Sequence, residues 1–256
     1  DVVGLKKGES GSTQFTTTFL ANVKTNDALV QVVRLFANDT VPHPDGSVDA
    51  LRDISSFETE FILSDLAILE TRIERIKKNL QKGGDEIGKR ELPTLERCNE
   101  LLQAGKLLRE ADLSKDDLAV LRTYQLLTAK PMLIALNGDE SQLPEMEKFV
   151  EAVRKEKGGK HTKVLSFFGK IELEMSELPV DEAAVFMAEY GIRESALDTL
   201  LREAYDLMGL QSFFTVGEDE CRAWTIRKGM TAQESAGVIH SDFVNKFIRA
   251  EVVHYD

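Results

Sequence analysis

Three short runs of apolar residues predict buried β-strands. They span residues 28–35, 132–136 and 163–168, and each is dense in Val, Leu, Ile or Phe. Continuous apolar runs of this length are typical of parallel strands covered on both faces. Helical patterns separate the runs along the chain, so the sequence predicts an α/β fold built around a parallel sheet.

A long helical pattern interrupts the strands between the first and second runs. A capping-box motif at Ser55 and Glu58 predicts its start, and the glycine-containing stretch 81–85 predicts its end. Apolar positions recur at spacings of three and four at Ile62, Leu66, Leu69, Ile73, Ile76 and Leu80, and again at Leu95, Cys98, Leu102 and Gly105. We therefore expect two antiparallel helices with their seams together, an α-helical coiled-coil hairpin.

Two interpretations of this hairpin stay open. It is either an arm that contacts a large partner or a helical subdomain that only covers its own seam. Fewer than about four heptads are present, which favours packing within the chain over dimerisation through a coiled coil.

Further helices are predicted beside the second strand. Ser114 and Asp117 can cap a helix that runs through Leu126 ahead of this strand, and Gly158 ends a helix that follows it.

The C-terminal part of the chain has a different pattern. Residues 213–216 and 223–226 are rich in aromatic and β-branched residues, and they flank the loop 217–220 as the strands of a hairpin do. Thr231 precedes a short helix that ends near Gly237, and residues 247–253 supply another strand. The pattern predicts a small α+β module of strand, strand, helix and strand.

Composition and charge narrow the class of protein. The chain is 42% hydrophobic and 30% charged, as ordinary globular proteins are, and 32 basic against 44 acidic residues give a net charge of −12. This balance argues against broad nonspecific binding to nucleic acid or to an anionic membrane, although local basic patches could still touch RNA. No sequence-specific DNA partner is expected. No membrane partner is expected either, since no apolar run approaches about 18 residues.

The cysteines and histidines do not indicate a metal or disulfide framework. Cys98 and Cys221 are too few for a disulfide framework and have no metal-ligand spacing around them. A reducing cytoplasmic location is therefore the natural expectation. The four histidines are His43, His161, His240 and His254, and they are scattered along the chain without a His-x-x-x-His pattern. We expect them to be surface or core residues.

Candidate chemistry lies at the end of the second strand. Asn137, Gly138 and Glu140 follow this strand directly, and open α/β sheets bind ligands beyond the carboxyl ends of their strands. In isolation the same residues would suggest a plain turn. After a buried strand, a ligand-binding loop is the stronger interpretation.

A second motif opens the chain. Asp1 and Gly4 form the Asp-x-x-Gly pattern of P-loop nucleotide hydrolases, in which the Asp sits near magnesium and the Gly amide senses the γ-phosphate. No Gly-x-x-x-x-Gly-Lys-Ser/Thr loop occurs in the 256 residues, although that loop normally precedes Asp-x-x-Gly. The expectation is a sequence truncated at its N-terminus.

With the C-terminal module, these motifs resemble the YchF/Obg-like ATPase family of TRAFAC P-loop NTPases, and the module is similar to their ubiquitin-like TGS domain. The resemblance covers nearly the whole chain. It implies a partial P-loop NTPase domain in two parts (1–50 and 114–208), a coiled-coil insertion (51–113) and an incomplete TGS-like domain (209–256).

The resemblance also implies site residues. Asn137, Gly138 and Glu140 would contact the base, because Asn-x-x-Glu is this family's variant of the GTPase motif Asn-Lys-x-Asp and accompanies a preference for ATP over GTP. Gly169 and Lys170 would lie on the other side of the base. Phe168 stands where a small polar residue is expected, and it either stacks on the base or packs in the core.

Cofactor, partners and role follow from the same resemblance. Mg²⁺ would lie near Asp1 and ATP would be the substrate, while Leu5 replaces the water-positioning glutamine of Ras-like enzymes and leaves no catalytic side chain assigned. Family members associate with ribosomes and act in translation or stress control. The alternative is a noncatalytic ribosome- or protein-binding module with a degenerate nucleotide domain.

The phosphate-cradling loop is expected to decide nucleotide affinity. Because its amides and lysine supply most contacts to a triphosphate, the 256-residue sequence alone should bind ATP very weakly and show no turnover. Calorimetric titration checks this expectation. Micromolar affinity for ATP would show that the loop is not needed.

Overall fold

The computed structural model describes residues 16–253, so the predicted residues Asp1, Gly4 and Leu5 lie outside the described residues. The helices and strands in chain order are α1 (Thr17–Lys24), β1 (Leu29–Arg34), α2 (Ala50–Gln81), α3 (Glu86–Gln103), α4 (Lys115–Leu121), β2 (Met132–Asn137), α5 (Met146–Lys157), β3 (Thr162–Phe167), α6 (Gly169–Ser176), α7 (Val180–Glu189), α8 (Ala196–Leu207), β4 (Leu210–Val216), β5 (Cys221–Arg227), α9 (Ala232–Ile239) and α10 (Ser241–Lys246). Short 3₁₀ turns span Leu108–Glu110, Leu127–Ala129 and Glu140–Glu145.

A parallel sheet of three strands confirms the predicted α/β class. The order is β1-β2-β3, and the last residues of the strands, Arg34, Asn137 and Phe167, are in register. The apolar side chains of β2 are buried, as its composition predicts. On β1, Val30 is 44% and Val32 61% exposed to solvent among the described residues. The expectation of cover on both faces therefore holds for β2 but not for β1.

The start of α2 differs from the prediction. Asp49 has an extended backbone and its side chain accepts a hydrogen bond from the Arg52 amide at 3.0 Å, so the helix begins at Ala50. The capping box predicted at Ser55 and Glu58 is wrong, because both residues lie inside the helix and Glu58 is buried. An acidic N-cap satisfies the free amides of the first turn equally well.

Helices α2 and α3 form what we call the helical arm. The turn between them spans residues 82–85, and the Asp85 side chain caps α3 by accepting from the Gly88 amide at 2.8 Å. The buried seam consists of Leu69, Ile73, Ile76, Leu95, Cys98 and Leu102. Gly105 lies beyond the end of α3 with φ +73°, so it ends the helix rather than extending the seam. The coiled-coil character of the arm stays a prediction.

Buried charges join the root of the arm to the sheet. Arg109 is 4% exposed, and its guanidinium donates to Glu58 Oε1 at 2.8 Å and to Thr162 Oγ1 at 2.9 Å. Lys157 Nζ lies 2.8 Å from the second oxygen of Glu58. Asp65 is fully buried and accepts from the Leu127 and Thr128 amides and from the Thr128 hydroxyl. Helix α2 is thereby fastened to α5, β3 and the turn before β2.

The capped helix ahead of β2 is shorter than expected. Ser114 and Asp117 do form a capping box. The helix nevertheless ends at Leu121, and Leu126 lies outside it. Gln125 has φ +50°, a left-handed conformation that a helix does not continue through.

The chain divides into two compact units between Leu200 and Leu201. In the second unit β4 and β5 form the predicted antiparallel hairpin, and α9 runs from a capping box at Thr231 and Glu234 to Ile239, just past Gly237. The strand predicted over 247–253 is wrong, since among the described residues no strand pairs with this segment and Ile248 is 92% exposed. The TGS assignment and the domain boundaries stay predictions.

Within residues 16–253, none of the helices is both long enough and apolar enough to span a bilayer.

Replacing Leu69 by Asp tests the seam of the arm. Leu69 is fully buried, so an unpaired carboxylate there should cost roughly 3 kcal/mol or more and loosen the arm. Hydrogen exchange across residues 62–80 should accelerate by about a hundredfold. Leu63, on the same helix and 55% exposed, provides the matched control Leu63→Asp, which should exchange like the wild type. Equal protection in both variants would mean that the seam is not buried.

Candidate functional site at the strand ends

The candidate site lies where β2 and β3 end. Asn137 is the last residue of β2, and its backbone oxygen accepts from the Leu35 amide at 2.9 Å. Its side-chain Oδ1 accepts from the Gly169 amide, the first residue of α6, at 3.0 Å. Within residues 16–253 the Nδ2 group of Asn137 donates to no partner. The amide is therefore oriented by α6 and leaves two N–H donors for a ligand.

Gly138 is enclosed by side chains from two directions. A Cβ at this position would lie 2.1 Å from Met146 Cε and 3.1 Å from Phe168 Cε1. Its amide donates to the Phe167 carbonyl at 3.0 Å, which keeps the backbone against β3. A lysine, the residue of the GTPase motif at this place, could enter only if Met146 moved.

The loop after Gly138 is fixed by capping. Asp139 accepts from the Ser141 amide at 3.0 Å and opens the 3₁₀ turn Glu140–Glu145. Gln142 accepts from the Asp139 amide at 3.0 Å and donates to the Leu35 carbonyl at 2.8 Å, so it ties this loop to the end of β1. Sequence reasoning missed both roles, although Asp followed three residues later by Gln is a capping-box signal.

Glu140 is exposed, and its Oε1 accepts from the Tyr190 hydroxyl at 3.1 Å. This bond and the neighbouring carboxylates of Glu140, Glu174 and Glu189 raise the pKa of Tyr190 above its ordinary value. Tyr190 follows α7, and its ring lies 4.9 Å from that of Phe186. No local sequence signal connects it with Glu140, because fifty residues separate them.

Phe168, Gly169 and Lys170 lie at the start of helix α6. Phe168 is 9% exposed and packs in the core beside the sheet, as the packing interpretation expects, and its contact with a base stays a prediction. Helix α6 begins at Gly169, and its buried residues Ile171 and Met175 hold one face against the core. The strand predicted over 163–168 runs from Thr162 to Phe167, so it ends one residue earlier than expected.

Gly169 and Lys170 occupy different surroundings. A Cβ on Gly169 would lie 3.3 Å from the Asn137 amide, so a small residue keeps this approach open. The Lys170 side chain is 82% exposed, and its Nζ lies 3.9 Å from Glu174 Oε1. The structure brings Asn137, Gly138 and Gly169 together, whereas Lys170 extends into solvent.

A candidate metal group lies in the loop after β1. Ligand atoms of His43, Asp45 and Asp53 lie within 4.8 Å of one another. Among the described residues, these three side chains form a candidate metal-binding cluster. His43 Nε2 lies 3.0 Å from Asp53 Oδ2, and His43 Nδ1 accepts from the Asp45 amide at 3.1 Å. Since Nδ1 is an acceptor, the ring proton is on Nε2 and faces Asp53. A cation at Nε2 would require the opposite tautomer, so this arrangement disfavours a metal.

Comparison with known proteins gives relatives along the whole chain. Residues 210–256 match the family model YchF-GTPase_C, described as a protein of unknown function (DUF933). The chain is 38% identical to the ribosome-binding ATPase YchF of Bacillus subtilis, over 100% of this chain and 70% of that protein. It is 32% identical to the Obg-like ATPase 1 of Caenorhabditis elegans, over 99% of this chain and 65% of that protein.

A solved structure shares the fold. The Schizosaccharomyces pombe YchF GTPase aligns with a TM-score of 0.80 at 29% identity. The alignment covers 95% of this chain and 66% of that one.

The crowding at Gly138 predicts an energetic coupling to Met146. Gly138→Ala should cost about 1 kcal/mol of folding free energy, because the methyl shifts the flexible end of the buried Met146 side chain. In a Met146→Ala background most of this cost should disappear. Urea unfolding of the four proteins measures the cycle. Gly84→Ala, with nothing within 4 Å of its Cβ, is the control, and additive effects at Gly138 and Met146 would contradict the packing.

Proposed function

The chain belongs to the YchF/Obg-like ATPase family, and we propose that its strand-end site binds the base of a nucleoside triphosphate, preferably ATP, which the protein hydrolyses. The observation that carries the proposal is the Asn137 side chain. Its Oδ1 is held by the Gly169 amide while its Nδ2 is left without a partner among residues 16–253. A purine ring presents acceptors that such an amide group can bind.

Gly138 and Gly169 support the same proposal. Both are positions at which a side chain would meet Asn137, Met146 or Phe168. The bare backbone of Gly169 leaves the Asn137 amide uncovered, whereas Gly138 lets Met146 and Phe168 pack against the end of β2. In this proposal Lys170, with its exposed ammonium, reaches the ligand only from its outer side.

Glu140 and Tyr190 support the preference for ATP. A carboxylate at this loop suits guanine, whose Watson–Crick edge carries two adjacent N–H donors. In this chain the Tyr190 hydroxyl already donates to Glu140 Oε1. A guanine would have to share Oε1 with that hydroxyl, which weakens its attraction for this carboxylate. GTP remains a weaker alternative substrate in this proposal.

The phosphate end of the site is proposed from family membership. Asp1 would bear on Mg²⁺ and Gly4 on the γ-phosphate, and both precede the described residues. When bound, Mg²⁺ neutralises charge on the phosphates during transfer. In this proposal the described residues bind the base. The crowding of Gly138 by Met146 and Phe168 keeps any bulky side chain out of position 138.

Partners are proposed by the same membership. Relatives are named ribosome-binding ATPases, and we extend ribosome association and a role in translation or stress control to this protein as proposals. A cytoplasmic location accords with the use of cysteine. The noncatalytic module remains the alternative, and it is the outcome if the strand-end residues have no effect on nucleotide affinity.

Substitutions at the strand end test base choice in a protein that carries a phosphate-binding loop ahead of Asp1. Asn137→Ala should weaken ATP binding by about fivefold to a hundredfold, or ~1–3 kcal/mol. Glu140→Asp draws the carboxylate back to its GTPase position, and Tyr190→Phe releases it from its donor. Both should raise the affinity for GTP relative to ATP, by about fivefold for Tyr190→Phe.

Competition between ATP and GTP is the measurement. Ser141→Ala, in the same turn but exposed, is the control, since its hydroxyl bonds only Asp139 within the described chain. An unchanged ratio in Glu140→Asp together with intact affinity in Asn137→Ala would remove the base site.

A further inference from the structure

The turn of the helical arm carries a concentration of positive charge. We define the arm tip as residues 75–90. Its cationic residues are Arg75, Lys77, Lys78, Lys82, Lys89 and Arg90, and its anionic residues are Asp85 and Glu86. Six against two is a net charge of +4, in a chain whose total is −12. The tip therefore opposes the charge of the rest of the molecule.

Four of these cations are free to meet a partner. Arg75, Lys82, Lys89 and Arg90 are exposed and make no hydrogen bond or ion pair within residues 16–253, and the last three lie nearest the turn. Lys77 and Lys78 are instead neutralised by Glu96 and Glu74, at 2.7 Å and 2.6 Å. Cations that lack an internal partner keep their full attraction for an external anion.

The shape of the tip also exposes its backbone. Gly83 has φ +95°, and a Cβ on Gly83 or Gly84 would meet nothing within 4 Å. Ile87 is 70% exposed beside them. Helix α2 leaves the sheet core after Phe61 and ends at Gln81, which places the tip about 30 Å from that core at 1.5 Å per residue.

We propose that the arm tip binds the phosphate backbone of double-stranded RNA. The choice of RNA among polyanions depends on the proposed ribosome association, whereas the attraction for phosphate rests on the tip itself. Residues 75–90 contain no Phe, Tyr or Trp, so they offer no platform on which unpaired bases stack. A single exposed isoleucine with no aromatic neighbour in sequence also suits a lipid surface poorly.

Two matched variants test the proposal. The tip variant is Lys82→Glu, Lys89→Glu and Arg90→Glu, and the control is Lys115→Glu, Arg122→Glu and Lys155→Glu, whose side chains are exposed and lie outside the arm. Each reversal changes the charge by two units, so both variants go from −12 to −18. Circular dichroism verifies that both keep their helices.

Binding of the 256-residue chain to a fluorescent 20-base-pair RNA duplex is measured by anisotropy from 50 to 200 mM KCl. The wild type should bind with a Kd on the order of 10⁻⁵ M at low salt. The tip variant should bind at least about tenfold more weakly, with a salt slope shallower by about 0.9 for each phosphate that it no longer neutralises. The control should stay within about threefold of the wild type.

Other outcomes overturn the proposal. Equal losses in both variants would mean that only net charge matters, and equal affinity for poly-glutamate or for phosphatidylserine vesicles would mean that the tip does not select RNA. Sedimentation with purified ribosomes separates this inference from the proposed function. If both variants pellet like the wild type, the tip is not the ribosomal contact and ribosome association stands. If the wild type does not pellet, the proposed ribosome association is wrong. The duplex measurement alone then decides whether the arm tip binds RNA.

Discussion

The arm and the sheet depend on one helix that belongs to two hydrophobic cores. Phe61 of α2 lies in the core beside the sheet, and Leu69, two turns later, lies in the core of the arm. Along this stretch α2 also buries Glu58 and Asp65, which are bonded to Arg109 and to the turn before β2. Burial raises the pKa of Asp65 and lowers that of Arg109, because it disfavours the charged form of each group. A tilt of the arm would separate these buried charges from their partners, which is costly in free energy.

Much of this fold could be predicted because its determinants are local. The continuous apolar runs identify β1, β2 and β3, and the spacing of apolar residues identifies both helices of the arm. The errors arise where local signals compete. Ser55 and Glu58 have the residue types of a capping box, yet Asp49 caps α2 and Glu58 is drawn inward by Arg109. Residues 247–253 have strand composition, but composition cannot supply the neighbouring strand that a ladder requires.

The candidate site shows the same division between local and distant determinants. Asn137 and Gly138 could be found because they follow a buried strand, and their geometry explains why a glycine stands beside Met146. Tyr190 could not be found, since its bond to Glu140 joins two segments that only the folded chain brings together. The motif supplies the carboxylate of Glu140. Tyr190, which follows α7, occupies one oxygen of that carboxylate through its hydroxyl.

The acidic chain and the basic tip are compatible because electrostatic interactions in salt are short. At physiological ionic strength the Debye length is about 8 Å, while the tip lies about 30 Å from the sheet core. The excess negative charge elsewhere therefore does not cancel the field of Lys82, Lys89 and Arg90 at the end of the arm. Near an anionic surface, the acidic parts of the chain are repelled and the tip is attracted. Such a distribution orients an encounter without contributing much affinity, so the arm would approach first and the more specific contacts would follow.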